Sequence, residues 1–198
     1  MPKNNLWGLT SGFVLASGSP QRLRLLETAG FMPEKVITAD IDETPFPNEL
    51  PARYVKRVAV EKARAVALKS PNSCILAADT VIAVGRRIIR KAQNENQVRQ
   101  NLKLLSGRRH RVMTGFCVKT PDGHEISKVV QTAVIIKHFD EADINALIQS
   151  GEWKGVAGYR IEGILSACVS KIIGSHPNIV GLPIFEVAQV LKGILRHS

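Results

Sequence analysis

The sequence predicts a layered domain of the α/β or α+β class. Segments of apolar strand character intermix along the chain with amphipathic helical segments, which is the pattern of a sheet covered by helices. The length of 198 residues fits one domain or two tightly joined lobes, and it can bury a large core without disulfides or metals. No tandem repeat, linker or low-complexity tract divides the chain.

The first half of the chain begins with a predicted buried strand over 13–16, because four apolar residues precede a turn of small residues. Pro20 suits the first helical position, so a helix follows the turn. A second strand is predicted over 35–39 and a loop over 40–47, where two prolines exclude a continuous helix. Apolar residues at helical spacing then predict a long helix over 51–69.

The second half is predicted to complete the sheet with hairpins. A strongly apolar segment predicts a strand over 74–84, and Gly85 permits a turn into a hairpin strand over 87–90. Alternating residues predict two longer strands joined by the turn Pro121-Asp-Gly123. By the same criteria the remaining predicted elements are helices over 94–105, 140–149 and 183–195 and strands over 111–119, 125–137 and 164–173. Residues 1–11 are expected to be loose, and 1–198 to form a single domain.

The charge and composition favour an anionic ligand of small size. The formal net charge is +10 with a sequence pI near 9.9, which favours polyanionic partners, although a basic surface without a specific anion is the alternative. Aromatic residues make up only 5% of the chain and no arginine-rich tail is present. Nucleic acid is therefore a less suitable partner than a small phosphorylated ligand.

The cysteines and the hydropathy pattern indicate the compartment. Cys74, Cys117 and Cys168 are far apart, odd in number and in apolar contexts, which predicts buried free thiols in a reducing compartment. No stretch approaches the ~18 apolar residues of a membrane helix, and the apolar run after Lys3 is too short for a secretory signal. We expect a cytoplasmic protein with no membrane partner.

The stretch from Phe13 to Leu26 predicts a strand, turn and helix that suit an anion. The turn Ser17-Gly-Ser19 would aim free N–H groups at one point, beside the positive end of the helix dipole. Arg22 and Arg24 in the first helical turn oppose this dipole at roughly 0.3–1 kcal/mol each, and a bound phosphate would turn that penalty into attraction. The alternative is that both arginines point into water, where screening makes the cost small.

A carboxylate interrupts the most apolar predicted strand. Asp79 must be paired, bound to a metal, or at a strand end facing a cleft, and for an isolated Asp a turn hydrogen bond is the alternative. Glu43 offers a second carboxylate near a loop, and Lys62 and Lys91 are candidate cations, although a single lysine is more often solvated. Carboxylates that hold a divalent ion or orient water, together with cations that neutralise phosphate oxygens, suit phosphoryl chemistry.

Several other chemistries are disfavoured. The sequence has no Gly-x-x-x-x-Gly-Lys phosphate loop, no His-Glu-x-x-His pair, no Cys-x-x-Cys and no Gly-x-Ser-x-Gly elbow. The five histidines have no metal-ligand spacing. A zinc site and a serine-hydrolase triad are therefore disfavoured.

Short motifs along the chain resemble those of the Maf family of nucleoside triphosphate pyrophosphatases. Each motif is weak alone, whereas the ordered set, which extends from residue 13 to 195, is specific. The motifs are Leu15-Ala-Ser-Gly-Ser-Pro-Gln-Arg22, Asp42-Glu-Thr-Pro45, Glu61-Lys-Ala63, Ala78-Asp-Thr80, Lys91, Leu105-Ser-Gly107, Thr114-Gly115, Ala157-Gly158 and Asn178-Ile-Val-Gly-Leu-Pro183.

The resemblance implies a mixed sheet flanked by helices in two lobes, with a nucleotide in the cleft between them. It implies cleavage between the α- and β-phosphates with a divalent cation, Mg²⁺ or Mn²⁺, as cofactor, and it makes a homodimer an expectation. By motif position, Asp79 would be the proton acceptor and Glu43 a metal ligand. The substrate-binding residues would be Ser17, Arg22, Lys62 and Lys91.

Three positions that the family links to base choice, Gln21, Thr80 and Glu162, carry a mixed pattern. The branch resembling dTTP and UTP pyrophosphatases has Arg, Thr and Gln there, and the branch acting on 7-methyl-GTP has Trp, Gln and Glu. A Gln amide both donates to and accepts from a thymine or uracil edge, whereas a carboxylate only accepts, which suits a guanine edge. The sequence leaves the base open between a pyrimidine and a modified purine.

One lysine of the family pattern is missing, because Val156 stands where the family has lysine. This departure motivates a second hypothesis, a nucleotide-binding regulator with weak or lost catalysis, linked to cell division. A third hypothesis, a nucleic-acid-binding protein, rests only on the net charge.

Overall fold

A mixed seven-stranded sheet forms the centre of the protein in the computed structural model, which describes residues 7–156 and 158–196. Its strands are β1 (Phe13–Ala16), β2 (Lys35–Val36), β3 (Cys74–Val84), β4 (Arg87–Ile89), β5 (Arg109–Lys119), β6 (Glu125–Ile136) and β7 (Val169–Ile173). The strand order is β2-β1-β3-β5-β6-β7, and β4 also pairs with β3. β1 runs parallel to β2 and β3, and every other pairing is antiparallel.

Six α-helices and one 3₁₀ helix accompany the sheet within the described residues. They are α1 (Pro20–Thr28), α2 (Pro51–Lys69), α3 (Glu95–Leu105), α4 (Glu141–Gln149), the 3₁₀ helix Ile164–Cys168, α5 (His176–Val180) and α6 (Ile184–Leu195). The predicted mixed sheet flanked by helices is confirmed. The predictions for residues 1–6, and the role of Ala157 in its motif, lie outside the described residues.

Helix α2 covers one face of the sheet, and a glycine lets it come close. Its buried residues recur at helical spacing and pack on β3, β5 and β6. A Cβ at Gly115 in β5 would lie 2.3 Å from the Val55 carbonyl oxygen, so only glycine permits this approach. The close packing carries Lys62 of α2 to the middle of β3.

The opposite face of the sheet carries two separate apolar clusters, which correspond to the two lobes. One cluster joins β1, α1 and α6 to Leu76 and Ala78 of β3. The other joins α3, α4 and α5 to Ile82 of the same strand. Because side chains alternate along a strand, Thr80 lies on this face between the two clusters.

Residues 7–10 contact the lobe that contains β1, α1 and α6. The Trp7 ring stacks on Phe31, and its indole N–H donates to the Ala29 carbonyl at 2.7 Å. Thr10 bonds the Leu195 carbonyl through its backbone N–H and its hydroxyl. The expectation of a loose segment remains a prediction only for residues 1–6.

Three elements differ from the sequence-based expectations. β2 ends at Val36, because the chain then leaves the sheet and Thr38 and Ala39 line the cleft described below. The predicted strand over 164–173 begins as a 3₁₀ helix, in which the buried Leu165 and Cys168 lie on one side because residues three apart eclipse in this helix. α5 was not predicted; it is only five residues long.

Among the helices of residues 7–156 and 158–196, none combines the length and the apolar character needed to span a membrane.

Candidate active site

The cleft opens where one edge of β3 lacks a neighbouring strand. β1 pairs with residues 74–77 of β3 and β4 pairs with residues 82–84, so within the described residues no strand covers 78–81 on that edge. Asp79 and Thr80 lie in this gap. The cleft between the lobes has a volume of about 1280 Å³, which is ample for a nucleotide.

Asp79 forms an ion pair with helix α2 on the helix-covered face of β3. The Lys62 ammonium lies 2.9 Å from Asp79 Oδ1 and 3.0 Å from Glu43 Oε1, so one cation joins two carboxylates. The Lys62 and Asp79 side chains are about 10% and 9% exposed, whereas Glu43 is 47% exposed. The buried charges are therefore paired as burial requires, and Glu43 remains open to solvent and to ligands.

The loop that carries Glu43 is attached to α2 by two residues of that helix. The Tyr54 hydroxyl donates to the Glu43 carbonyl at 2.9 Å, and burial, which Asp79 and Glu43 reinforce, raises the pKa of this phenol. Arg57 donates to the Thr44 carbonyl at 3.2 Å and to both carboxylate oxygens of Glu49 at 2.8 Å.

The Arg57 guanidinium also lies 4.0 Å from the centre of the Phe46 ring and pairs with Glu61 at 3.0 Å. Its hydrogen bonds to Glu49 are the largest cause of a raised pKa. These contacts hold the loop between β2 and α2 in one conformation, and Glu43 projects from it toward Lys62.

Arg22 lies on the other side of the gap, in the first turn of α1. Its guanidinium donates to the Gly181 carbonyl at 2.8 Å, to Ser17 Oγ at 3.1 Å and to Thr80 Oγ1 at 3.2 Å. Burial lowers the pKa of Arg22, while the negative charges of Asp79 and Glu43 act in the opposite direction. All three acceptors are uncharged, and no ion pair to Arg22 occurs within residues 7–156 and 158–196. An anionic ligand would supply the missing counter-charge.

All nine site residues that the sequence predicts line this cleft: Ser17, Gln21, Arg22, Glu43, Lys62, Asp79, Thr80, Lys91 and Glu162. Of the two arginines in α1, Arg22 is buried rather than solvated, while Arg24 is exposed. Val156, at the position of the missing lysine, also lines the cleft, as does Lys154 two residues earlier.

Sequence reasoning missed four residues that support the site. Arg57 holds the Glu43 loop, and Thr114, Asn178 and Gly181 contact Thr80, Arg22 or each other. A signal existed for Thr114, because it interrupts an apolar strand as Asp79 does. Asn178 and Gly181 belong to a motif that carried no assigned role. Gly181 has a φ of +133°, a conformation that favours glycine.

The carboxylates of the cleft fit a divalent cation whose other ligands are water and phosphate oxygens. They contain no group of three or more His, Cys, Asp or Glu side chains that could bind a metal alone. Glu43 and Asp79 share one cation, so their oxygens already converge on a positive charge. Mg²⁺ is commonly bound by one or two carboxylates together with phosphate oxygens and water, and this donor set fits that pattern.

The comparison with known families decides the family of this chain. The family model described as Maf-like protein matches residues 12–194. The chain belongs to this family. The family resemblance that the sequence motifs suggested is therefore confirmed.

Two curated relatives of this Maf family member are each named dTTP/UTP pyrophosphatase. The one from Paramagnetospirillum magneticum is 50% identical over 181 residues, covering 91% of this chain and 95% of the relative. The one from Caulobacter vibrioides is 47% identical over 182 residues, covering 91% of this chain and 94% of the relative. Among solved structures, the Staphylococcus aureus Ham1 protein aligns with 64% of this chain and 72% of its own at 18% identity, with a TM-score of 0.47. This structural likeness is too low to bear on function.

Proposed function

We propose that this Maf family member hydrolyses dTTP and UTP to the nucleoside monophosphate and pyrophosphate with the help of a divalent cation. The observation that carries the reaction class is the Asp79–Lys62–Glu43 ion-pair cluster in a cleft that also holds the buried Arg22. The choice of pyrimidine rests on the names of the relatives and on Gln21, whose amide can both donate to and accept from a uracil or thymine edge.

In this proposal Asp79 accepts a proton from the attacking water. The water oxygen forms a bond to the α-phosphorus, the bond between the α-phosphorus and the α–β bridging oxygen breaks, and pyrophosphate leaves with the electron pair. Lys62 fixes the orientation of the Asp79 carboxylate through its 2.9 Å hydrogen bond. The water is thereby presented to the α-phosphorus from the helix-covered face of β3.

The cations of the cleft stabilise the charge that develops on the departing pyrophosphate. Arg22, Lys91 and the N-terminus of α1 surround the region where the phosphates would lie, with Ser17 as a further hydrogen-bond partner. Glu43 would hold the divalent cation, which when bound supplies electrostatic stabilisation to the phosphate oxygens.

The setting of the enzyme forms part of the proposal. We propose a cytoplasmic enzyme, because Cys74, Cys117 and Cys168 are free and buried. The two lobes share β3, β5 and β6, which supports a single functional domain. A homodimer stays a prediction from the family resemblance.

The decisive experiment incubates the protein with a panel of nucleoside triphosphates and Mg²⁺ or Mn²⁺ and identifies the products by ion-exchange chromatography. We expect monophosphate and pyrophosphate, with dTTP and UTP turned over fastest. Asp79→Asn, which keeps the hydrogen bond to Lys62 but loses the proton acceptor, is expected to lower kcat by roughly 10²–10⁴-fold. Asp122→Asn, an exposed carboxylate in the β5–β6 turn, is the matched control and should match the wild type.

Each alternative has its own outcome. Release of orthophosphate, or full activity of Asp79→Asn, would contradict the proposed reaction. Preference for 7-methyl-GTP would leave the reaction class in place and replace the proposed base. Thermal stabilisation by a nucleotide without any turnover would favour the regulator, which the missing lysine at Val156 motivates.

A further inference from the structure

A line of polar side chains crosses the sheet at the boundary between the two apolar clusters. Thr80 of β3 and Thr114 of β5 are register partners, and their hydroxyl oxygens are 2.9 Å apart. Thr114 is fully buried between Val112, which belongs to one cluster, and Phe116, which belongs to the other. A buried polar group in this place has to be hydrogen-bonded, so its partners reveal its role.

The hydrogen bonds of this line connect Arg22 to Asn178. The Thr114 hydroxyl lies 3.1 Å from the Asn178 carbonyl, which can only accept, so Thr114 donates there. The Thr80 hydroxyl accepts from Arg22 Nη2 at 3.2 Å, and its one proton is directed to Thr114 Oγ1 at 2.9 Å or to the Gly181 carbonyl at 3.2 Å. The series of contacts runs from Arg22 through Thr80 and Thr114 to Asn178.

Asn178 is the fixed end of this series. Its side chain is completely buried, and its amide nitrogen donates to the Val112 carbonyl at 3.2 Å and to Thr132 Oγ1 at 3.0 Å. Thr132 Oγ1 also accepts from the Ser175 backbone N–H at 3.1 Å. These bonds attach α5 to β5 and β6 through Asn178 in the middle of the helix and Ser175 directly before it.

The attachment of α5 also places the second support of Arg22. The Gly181 carbonyl follows α5 directly and accepts from Arg22 Nε at 2.8 Å. Gly181 adopts a φ of +133°, which directs this carbonyl into the cleft, and a Cβ there would lie 3.7 Å from Arg22 Nε. The Arg22 guanidinium is therefore held at two of its nitrogen atoms, at Nη2 by Thr80 and at Nε by the carbonyl that follows α5.

We propose that Thr80, Thr114 and Asn178 are positioning residues that hold the Arg22 guanidinium toward the phosphates of the substrate. This inference rests on the proposed function. The phosphates are common to all nucleoside triphosphates. A change at Thr114, which does not line the cleft, should therefore weaken all triphosphates to the same degree.

The test uses threonine-to-valine variants, which remove a hydroxyl at nearly constant shape. Thr80→Val and Thr114→Val are compared with Thr114→Ser, which restores the hydroxyl, and with Thr120→Val in the β5–β6 turn, which loses hydrogen bonds far from the cleft. The readouts are kcat and KM for dTTP, UTP and GTP, and the affinity for α,β-imido-dUTP by titration calorimetry. The calorimetric readout does not depend on turnover.

We expect Thr114→Val and Thr80→Val to bind the imido nucleotide roughly tenfold more weakly, a loss of about 1.4 kcal/mol. The main kinetic effect should be a raised KM. In Thr114→Val, whose side chain is buried away from the cleft, the ratio of kcat/KM values among the three nucleotides should not change. Thr114→Ser should return to within about twofold of the wild type, and Thr120→Val should equal it.

Other outcomes would overturn the inference. Wild-type affinity and kcat/KM in a folded Thr114→Val protein would do so, and so would a changed ratio between dTTP and GTP in that variant. Should Thr114→Val fail to fold, the affinity of the partly exposed Thr80→Val for the imido nucleotide decides. Absence of pyrophosphate release by the wild type contradicts the proposed function alone, because the calorimetric comparison still decides the positioning role. No binding of the imido nucleotide to the wild type would overturn the positioning role.

Discussion

Lys62 is the residue on which the charge balance of the cleft depends. Its single ammonium neutralises part of the charge of Asp79 and Glu43, while Arg22 lies across the gap with only neutral partners. Buried ion pairs contribute little net stability, since desolvation offsets much of the attraction. The arrangement is better explained by function, because it keeps an oriented carboxylate and an unpaired guanidinium on opposite sides of one cleft.

His110 makes a residue-scale prediction about stability and pH. It is 1% exposed, its Nε2 meets the Tyr159 hydroxyl, and burial lowers the pKa of the imidazole to about 4. In the unfolded chain the pKa is about 6.5, so between these values the unfolded state binds a proton that the folded state does not. Stability contributed by His110 is therefore present above pH ~6.5 and is lost as the pH falls toward ~4.

Urea titrations of wild type and His110→Gln measure this effect. Between pH 7 and 4.5 the free energy of unfolding of the wild type should fall by roughly 2–3 kcal/mol more than that of the variant. His124→Gln, an exposed histidine in the β5–β6 turn, should keep the wild-type pH dependence. Parallel pH profiles for wild type and His110→Gln would contradict the assignment.

At the scale of elements, the loop between β2 and α2 is the part that brings Glu43 to the cleft. Arg57 holds that loop through Glu49, the Thr44 carbonyl and Phe46. A lysine cannot reproduce these bidentate and stacked contacts. We predict that Arg57→Lys raises the Mg²⁺ concentration for half-maximal activity roughly tenfold, corresponding to about 1.4 kcal/mol.

The matched control for this prediction is Arg64→Lys on the same helix. Arg64 also makes a bidentate pair, with Glu125, but it is 62% exposed and does not line the cleft. Its Mg²⁺ activation curve should equal that of the wild type. An Arg57→Lys protein with an unchanged activation curve would show that the Glu43 loop needs no such support.

The elements that the sequence predicted correctly are those with strong local signals. The periodicity of α2, the alternation in β5 and β6 and the capping Asp140 of α4 depend on near neighbours in the chain. α5 could not be predicted, because its five residues are held by tertiary hydrogen bonds of Asn178 rather than by helical propensity.

The difference between local signals and tertiary contacts also explains which parts of the site could be predicted. Asp79 was found because a carboxylate stands out in an apolar strand. Arg57 and Asn178 were not, because their partners lie in loops and strands whose proximity only the folded chain establishes. Thr80 was assigned to base choice from its motif, and this assignment stays a prediction.

At the scale of the whole molecule, the cleft where a triphosphate would bind is itself basic. Seven cationic side chains line the cleft, against four acidic ones. The cations are Arg22, Arg24, Lys62, Arg90, Lys91, Lys154 and Arg160, and the carboxylates are Glu43, Asp79, Glu152 and Glu162. A concave basic site of this kind draws a small polyanion by focusing the electrostatic field.

The central claim is that a water molecule activated by Asp79 attacks the α-phosphorus of the nucleotide. Hydrolysis of dTTP in ¹⁸O-labelled water, followed by mass spectrometry of both products, tests this claim most directly. The account predicts that the label enters the nucleoside monophosphate and that the pyrophosphate carries none. Label in the pyrophosphate would place the attack on the β-phosphorus and contradict the account.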